Sequence, residues 1–207
     1  MARNFFTVEE QECIRSTTQK AEARTSGEIA TMVVPQSDDY READYLGAIL
    51  LSGLLSLVIS VAVRHVSIWT YVPLVCLGYY PLLLVLRRVP RLKLGFIGRV
   101  RIATAVRSGA VRAFFEKGLY RTRDETGILI YISLLERKVW ILGDRGINSK
   151  IPPDFWQHLA GELASGIRKG NGCDTLCRVI TACGLELERH FPLRSDDKNE
   201  LPDHLII

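Results

Sequence analysis

Two long uncharged runs with a very short link between them constrain this chain more than any other feature. Residues 45–63 hold 19 residues without a charge, and residues 66–86 hold another 21. A helix needs about 20 mostly apolar residues to cross a hydrocarbon core of about 30 Å, so each run is long enough to span a bilayer. Only residues 64–67 separate the spans, and a link that short forces an antiparallel helical hairpin. The competing reading is a pair of helices inside a soluble core. Helices of that kind usually carry a polar face, whereas these runs contain no Asp, Glu, Lys, Arg, Asn or Gln. A signal peptide is not expected, because a polar segment of 44 residues precedes the first run and no small-residue cleavage pattern follows it.

The net charge is +4, and its distribution is more informative than its sum. Arg3, Arg15, Lys20, Arg24 and Arg41 precede the hairpin, and Arg87, Arg88, Arg91, Lys93, Arg99, Arg101 and Arg107 follow it closely. The link offers only Arg64 and His65. Positively charged flanks stay in the cytoplasm, so the expected topology is an inner or plasma membrane protein with two spans and both termini cytoplasmic. Cys13, Cys76, Cys173, Cys177 and Cys183 are odd in number and lack framework spacing, which reads as reduced thiols in a cytosolic compartment.

Outside the hairpin the chain alternates helix and strand signals. Thr7 and Glu10 form a capping box for a helix running to about Arg24. Glu28 to Val34 alternates as a strand, and Pro35 stops it. After a basic exit, a helix is expected over residues 98–117, with Ile102, Ala105, Val106, Gly109, Ala110, Ala113 and Phe114 on its core face and Gly118 as its C-terminal cap. Gly127 to Ser133 is almost wholly apolar, which suits a strand covered on both faces. Residues 138–142 pair with it as a β-hairpin, and residues 143–146 read as a loop. Helices over residues 154–166 and 174–190 follow, then a polar tail ending in Leu205, Ile206 and Ile207.

The first strand cannot form a sheet by itself, and its only candidate partners lie beyond the hairpin. The expected fold class is therefore α/β: one domain with a small mixed sheet flanked by helices, interrupted by an inserted two-helix transmembrane hairpin. The expected boundaries are 1–44 and 89–192 for the split domain, 45–88 for the hairpin and 193–207 for the tail. A domain whose chain enters and leaves the bilayer is expected at the membrane surface.

The order of these elements, over residues 5–34 and 96–192, resembles the TPM domain family. The residues that carry the resemblance are Gly27-Glu28-Ile29, the run from Asp124 through Gly127 to Tyr131, Arg137 to Ile141, and Gly143 to Ile147. The ending His190-Phe191-Pro192, with Asn199 to Asp203, is similar to the bacterial membrane-anchored subgroup. The family also holds thylakoid acid phosphatase-like proteins of photosystem repair. The resemblance implies a divalent cation such as calcium, or an acid phosphatase activity, served by Asp124, Glu125 and Asp144, with Glu28 a weaker candidate. Carboxylates in loops are the right ligand type for a hard cation. The loop before the last helix departs from the family pattern, because it reads Gly170-Asn171-Gly172 and its nearest carboxylate is Asp174. The plain alternative is that the acids are turn residues.

Enzyme machinery is sparse. There is no phosphate-loop signature. His158 and His190 sit on helix surfaces, and Ser133 and Ser149 have no base nearby in sequence. Cys173 and Cys177 are one helical turn apart and could meet a metal, but without a second pair they read as ordinary helical cysteines. Arg87, Arg88, Arg91 and Lys93 read as a membrane-surface set, because each Lys or Arg gains about 1 kcal/mol near anionic lipid. Nucleic acid is not expected. The sequence therefore favours a membrane-tethered interaction or assembly module with lipid and a membrane or peripheral protein as partners. A metal-dependent phosphatase is the alternative, and no cofactor follows from the sequence with certainty.

Overall fold

Seven consecutive residues that avoid water, Gly127–Ser133, form the centre of the fold. A computed structural model describes residues 5–64, 67–122, 125–193 and 205–206. In it, β2 (Gly127–Ser133) is buried along its whole length. It pairs in parallel with β1 (Glu28–Val34), Ala30 opposite Leu129, and antiparallel with β3 (Lys138–Gly143), Ile130 opposite Ile141. The sheet order is β1-β2-β3, which is the mixed sheet expected. The pairing joins a strand before the apolar runs to one after them.

Alternation along β2 sends its side chains to two cores. Ile128, Ile130 and Ile132 pack with Ile14 and Ala21 of α1 (Val8–Glu22), Leu159 and Leu163 of α7 (Pro153–Arg168), and Leu176, Val179 and Leu187 of α8 (Gly172–His190). Leu129 and Tyr131 pack on the other face with Val106, Ala110, Ala113 and Phe114 of α5 (Arg99–Glu116). α1 starts where the capping box requires: Thr7 Oγ1 accepts from Glu10 N at 3.2 Å, and Glu10 Oε2 accepts from Thr7 N at 2.7 Å. Helix contacts are close where glycine occurs. A Cβ on Gly166 would lie 2.2 Å from Thr175 Oγ1, and one on Gly184 would lie 2.7 Å from Ala21 Cβ.

The chain divides into two compact units, Met1–Ser37 with Ala103–Ile207, and Asp38–Ile102. The division falls inside α5, and the inserted unit is longer than the apolar hairpin at 45–88. The insert holds α2 (Arg41–Ala62), α3 (Ile68–Arg88) and the one-turn α4 (Pro90–Lys93). α2 and α3 are long and apolar enough to cross a membrane. The inward stripe of α2 is small: Ala48, Ser52, Ser56 and Ser60 are buried, while Leu46, Leu50, Leu54 and Val58 are exposed. Gly78 of α3 faces Ser52, and Tyr71 Oη donates to the Gly53 carbonyl at 3.3 Å. α3 contains Pro73 and Pro81, which membrane helices tolerate better than soluble ones. In the same unit, Lys93 Nζ donates to the Asp39 carbonyl at 2.6 Å and sits 3.8 Å from Asp44 Oδ1, both side chains buried. Arg101 binds Asp38 and Glu42 at 2.6 and 3.0 Å.

Three local features differ from the sequence reading. Residues 143–146 are not simply a loop, because Asp144 caps the one-turn α6 (Arg145–Asn148). Lys93 does not join the exposed Arg87, Arg88 and Arg91, because Asp44 and the Asp39 carbonyl draw its ammonium inward. The tail is not only polar, since Ile206 bridges to Met32 on the outer edge of β1, donating to Thr31 O and accepting from Val33 N, each at 2.9 Å.

Candidate functional site

One edge of the three-stranded sheet is met by the chain's own end, through Ile206 on β1. The opposite edge, β3, has no strand beyond it among the described residues. A groove of about 720 Å³ runs along it, with Lys138 to Gly143 as its floor. Val106 and Arg107 of α5 line one side, and Trp156, Ala160, Gly161 and Ala164 of α7 line the other. Alanine and glycine keep the α7 wall low, and a Cβ at Gly161 would meet nothing within 4 Å.

The groove has one sign of charge. Arg107, Arg137, Lys138 and Arg168 line it, and among the described residues no acidic one does. The Arg107 guanidinium lies 5.9 Å from the Trp140 ring centroid, a cation–π contact that orients both groups. Trp156 is 5% exposed, and its indole N–H has no acceptor among the described residues. Buried indole N–H groups normally find a partner. A basic trough along a strand edge that no described strand pairs fits an extended segment carrying carbonyls and carboxylates.

The acids singled out in the sequence lie at the start of β2. Glu28 is opposite Gly127, and Gly143 is opposite Ile128, so Glu28, Glu125 and Asp144 come to one end of the sheet. Asp124 lies outside the described residues. Glu125 occupies a left-handed turn position with φ 55°. Asp144 Oδ1 accepts from Arg145 N at 2.7 Å, and its buried Oδ2 has no hydrogen-bond partner among the described residues. Burial raises the Asp144 pKa; the Arg145 N–H opposes this, and the charge of Glu125 adds to it. One uncommitted, partly desolvated carboxylate oxygen with a second carboxylate near it fits the donor class of a hard cation. Asp174 is elsewhere, in a depression with Glu9, Glu10 and Cys13.

Ser133 has an acid beside it after all. Its Oγ donates to Glu136 Oε2, and Ser37 Oγ donates to Ser133 Oγ at 2.8 Å. Tyr131 and Ser37 N extend the same network. Burial raises the Tyr131 hydroxyl pKa. Ser133 is 1% exposed, so the network ties residue 37 to the sheet and presents no nucleophile to a substrate. The groove residues escaped the sequence reading because α5, β3 and α7 supply them from distant stretches. The one available sign was the clustering of Lys138 and Trp140 on a short strand with Arg137 just before it.

Residues 99–182 match the family model described as the TPM domain. No curated protein is matched by the chain. Among solved structures the chain is similar to the NMR structure of the BA42 protein from the psychrophilic bacterium Bizionia argentinensis. The TM-score is 0.61 and the identity 22%, over 98% of this chain and 94% of that one. That likeness is one of fold.

Proposed function

We propose that this chain, which matches the TPM domain model over residues 99–182, is a membrane-tethered interaction module whose β3 groove receives an extended, acidic segment of a partner protein. The observation that carries this reading is the open, uniformly basic edge of β3. Added backbone would pair with the edge of β3, while Arg107, Lys138 and Arg168 would meet carboxylates. Strand addition supplies affinity through the main chain, and the charges supply specificity and approach rate.

The tether is α2 with α3. Most of their large side chains, such as Leu46, Leu50, Leu54, Leu77 and Tyr80, are uncovered within the chain, and Arg87, Arg88 and Arg91 lie exposed at the end of the second helix and just after it. With basic residues on both flanks, both termini are cytoplasmic in this reading. Reporters at the two termini then give a cytoplasmic signal, and one inserted after Arg64 gives the external one. Termini on opposite sides would overturn the hairpin.

The groove is tested by affinity capture of the full chain in mild detergent, beside an Arg107→Glu/Arg168→Glu form. Loss of the same partner from the charge-reversed form, with restoration by a partner whose acids are changed to lysine, supports the reading. Equal capture by both forms overturns it.

The phosphatase reading has one observation in its favour, the unpartnered oxygen of Asp144 beside Glu125. Those two carboxylates, with Glu28, are the residues that would hold a divalent cation. Such a cation would supply charge neutralisation for a phosphate. Phosphomonoester hydrolysis by the purified chain that disappears in Asp144→Ala would bring this reading forward.

A further inference from the structure

The structure brings a third thiol to the pair on α8. Cys173 and Cys177 lie one turn apart on that helix, and Cys13 approaches them from α1. The three sulfur atoms lie within 4.8 Å of one another. Cys13 Sγ and Cys177 Sγ are 3.8 Å apart. We propose that Cys13, Cys173 and Cys177 form a three-thiolate site for a thiophilic metal ion of the zinc class, with a fourth coordination position open to solvent.

The distances suit this chemistry. A Zn–S bond of about 2.3 Å at the tetrahedral angle sets sulfur atoms about 3.8 Å apart, the separation found between Cys13 and Cys177. A disulfide needs its sulfurs at about 2.05 Å, so this pair would have to close by far more than a metal site requires. The three thiols come from two helices packed in the same core, so their backbone is positioned without the ion. Three protein ligands with one open position is the pattern of an exchangeable zinc site rather than a closed structural one. A depression of about 300 Å³ supplies the opening, with Cys13 and Cys173 in its wall and Glu9, Glu10 and Asp174 around it. A carboxylate or a water can complete the tetrahedron there.

Two of the thiols, Cys173 and Cys177, are also held as acids that have not ionised. Burial, then the neighbouring Cys177 and Cys13, raises the Cys173 pKa to about 12, and burial raises Cys177. Three thiolates this close repel one another, and a divalent cation removes that repulsion. Binding therefore displaces protons from the thiols to solvent, and no oxidant or reductant is involved. Of the remaining cysteines, Cys76 lies on α3 and Cys183 is fully buried, and neither belongs to the cluster.

The test uses the full chain, reduced, in detergent. Zn²⁺ is titrated with proton release as readout, and Co²⁺ replaces it to give thiolate-to-metal charge-transfer absorption. The expected result is one ion per chain with protons released. Cys13→Ser, Cys173→Ser and Cys177→Ser should each weaken binding by at least about 100-fold, beyond what outer-shell changes cost. Cys76→Ser and Cys183→Ala should leave it unchanged. In the unmutated chain, bound Zn²⁺ should shield the same three thiols from alkylation, a readout that does not depend on how the variants fold. Binding indifferent to Cys13→Ser, or alkylation unaffected by Zn²⁺, overturns the site. So does a Cys13–Cys177 disulfide that forms in air at the same rate with and without the ion.

Discussion

The α/β unit and helix α2 of the inserted unit sort their side chains by opposite rules. In the α/β unit the large residues are inside: Ile128, Leu129, Ile130 and Leu163 have no measurable exposure. Along α2 of the inserted unit the small ones are inside: Ser52, Ser56 and Ser60 are buried while Leu54 is 60% exposed. Under the membrane-tethered reading proposed above, the difference follows from what surrounds each unit. In water, burying a large aliphatic side chain gains about 1.5–3 kcal/mol. Between helices in lipid that gain vanishes, because the tails are as apolar as leucine, and close approach of small residues supplies the packing instead. Membrane insertion of α2 and α3 is thus the reading under which the stripe of α2 makes physical sense.

The largest expected effect tests the charged pair in the insert. Lys93→Met leaves the Asp44 carboxylate buried without its cation, which should destabilise the folded insert by about 3–5 kcal/mol. Asp44→Leu/Lys93→Met should recover most of the loss. Helical circular dichroism during thermal melting in detergent measures both. A single change as mild as the double one would show that the ion pair contributes nothing.

Ile130→Ala comes next. It removes a fully buried side chain at the centre of β2 and should cost about 2–5 kcal/mol, read as a lower denaturant midpoint by tryptophan fluorescence. Leu54→Ala, in contrast, should leave that transition in place. Equal effects from the two changes would erase the contrast between the units.

A gentler probe reverses the size rule within the insert. Ser52→Leu puts a large side chain where Gly78 approaches, and overpacking should cost about 1–3 kcal/mol in the helix pair. Leu54→Ser should cost the pair little, although it weakens partitioning into the membrane. The reverse ranking would mean that the stripe does not face α3.

Much of this arrangement is written locally in the chain. The capping box at Thr7, the alternation of Glu28 to Val34 and the unbroken apolar run of β2 depend on residues close in sequence, and all appear where their patterns place them. The uncharged runs likewise become two long helices. What was not legible depends on distant residues meeting. Lys93 looks like any juxtamembrane lysine until Asp44 is placed beside it. Ile206 ends a polar tail, and only the free edge of β1 gives it a ladder to join. The groove needs α5, β3 and α7 together, and the thiol cluster needs α1 against α8. The acids at Glu28, Glu125 and Asp144 lie between these cases, because the family resemblance named them together and the sheet register brings them to one end.

The smallest effect concerns that end of the sheet. Asp144 holds its proton more tightly in the folded chain than in the unfolded one, because burial outweighs the Arg145 N–H and the charge of Glu125 adds to it. The stability linked to this proton is fully present below the ordinary carboxylate value of about 3.9. It is lost as pH rises through the higher folded value, since the ionised form is the one the site disfavours. Water reaches part of the carboxyl, so the span should stay under about 1 kcal/mol. Asp144→Asn, which cannot ionise, should flatten this segment of the stability–pH curve and keep the cap on Arg145. Calcium acts in the opposite direction, because it favours the ionised carboxylates. In the cation reading it raises the melting midpoint of the full chain near pH 7, and Asp144→Asn abolishes the rise. A midpoint that calcium leaves unchanged beyond a matched sodium control would leave these acids as turn and capping residues, with the groove on β3 as the surface that meets a partner.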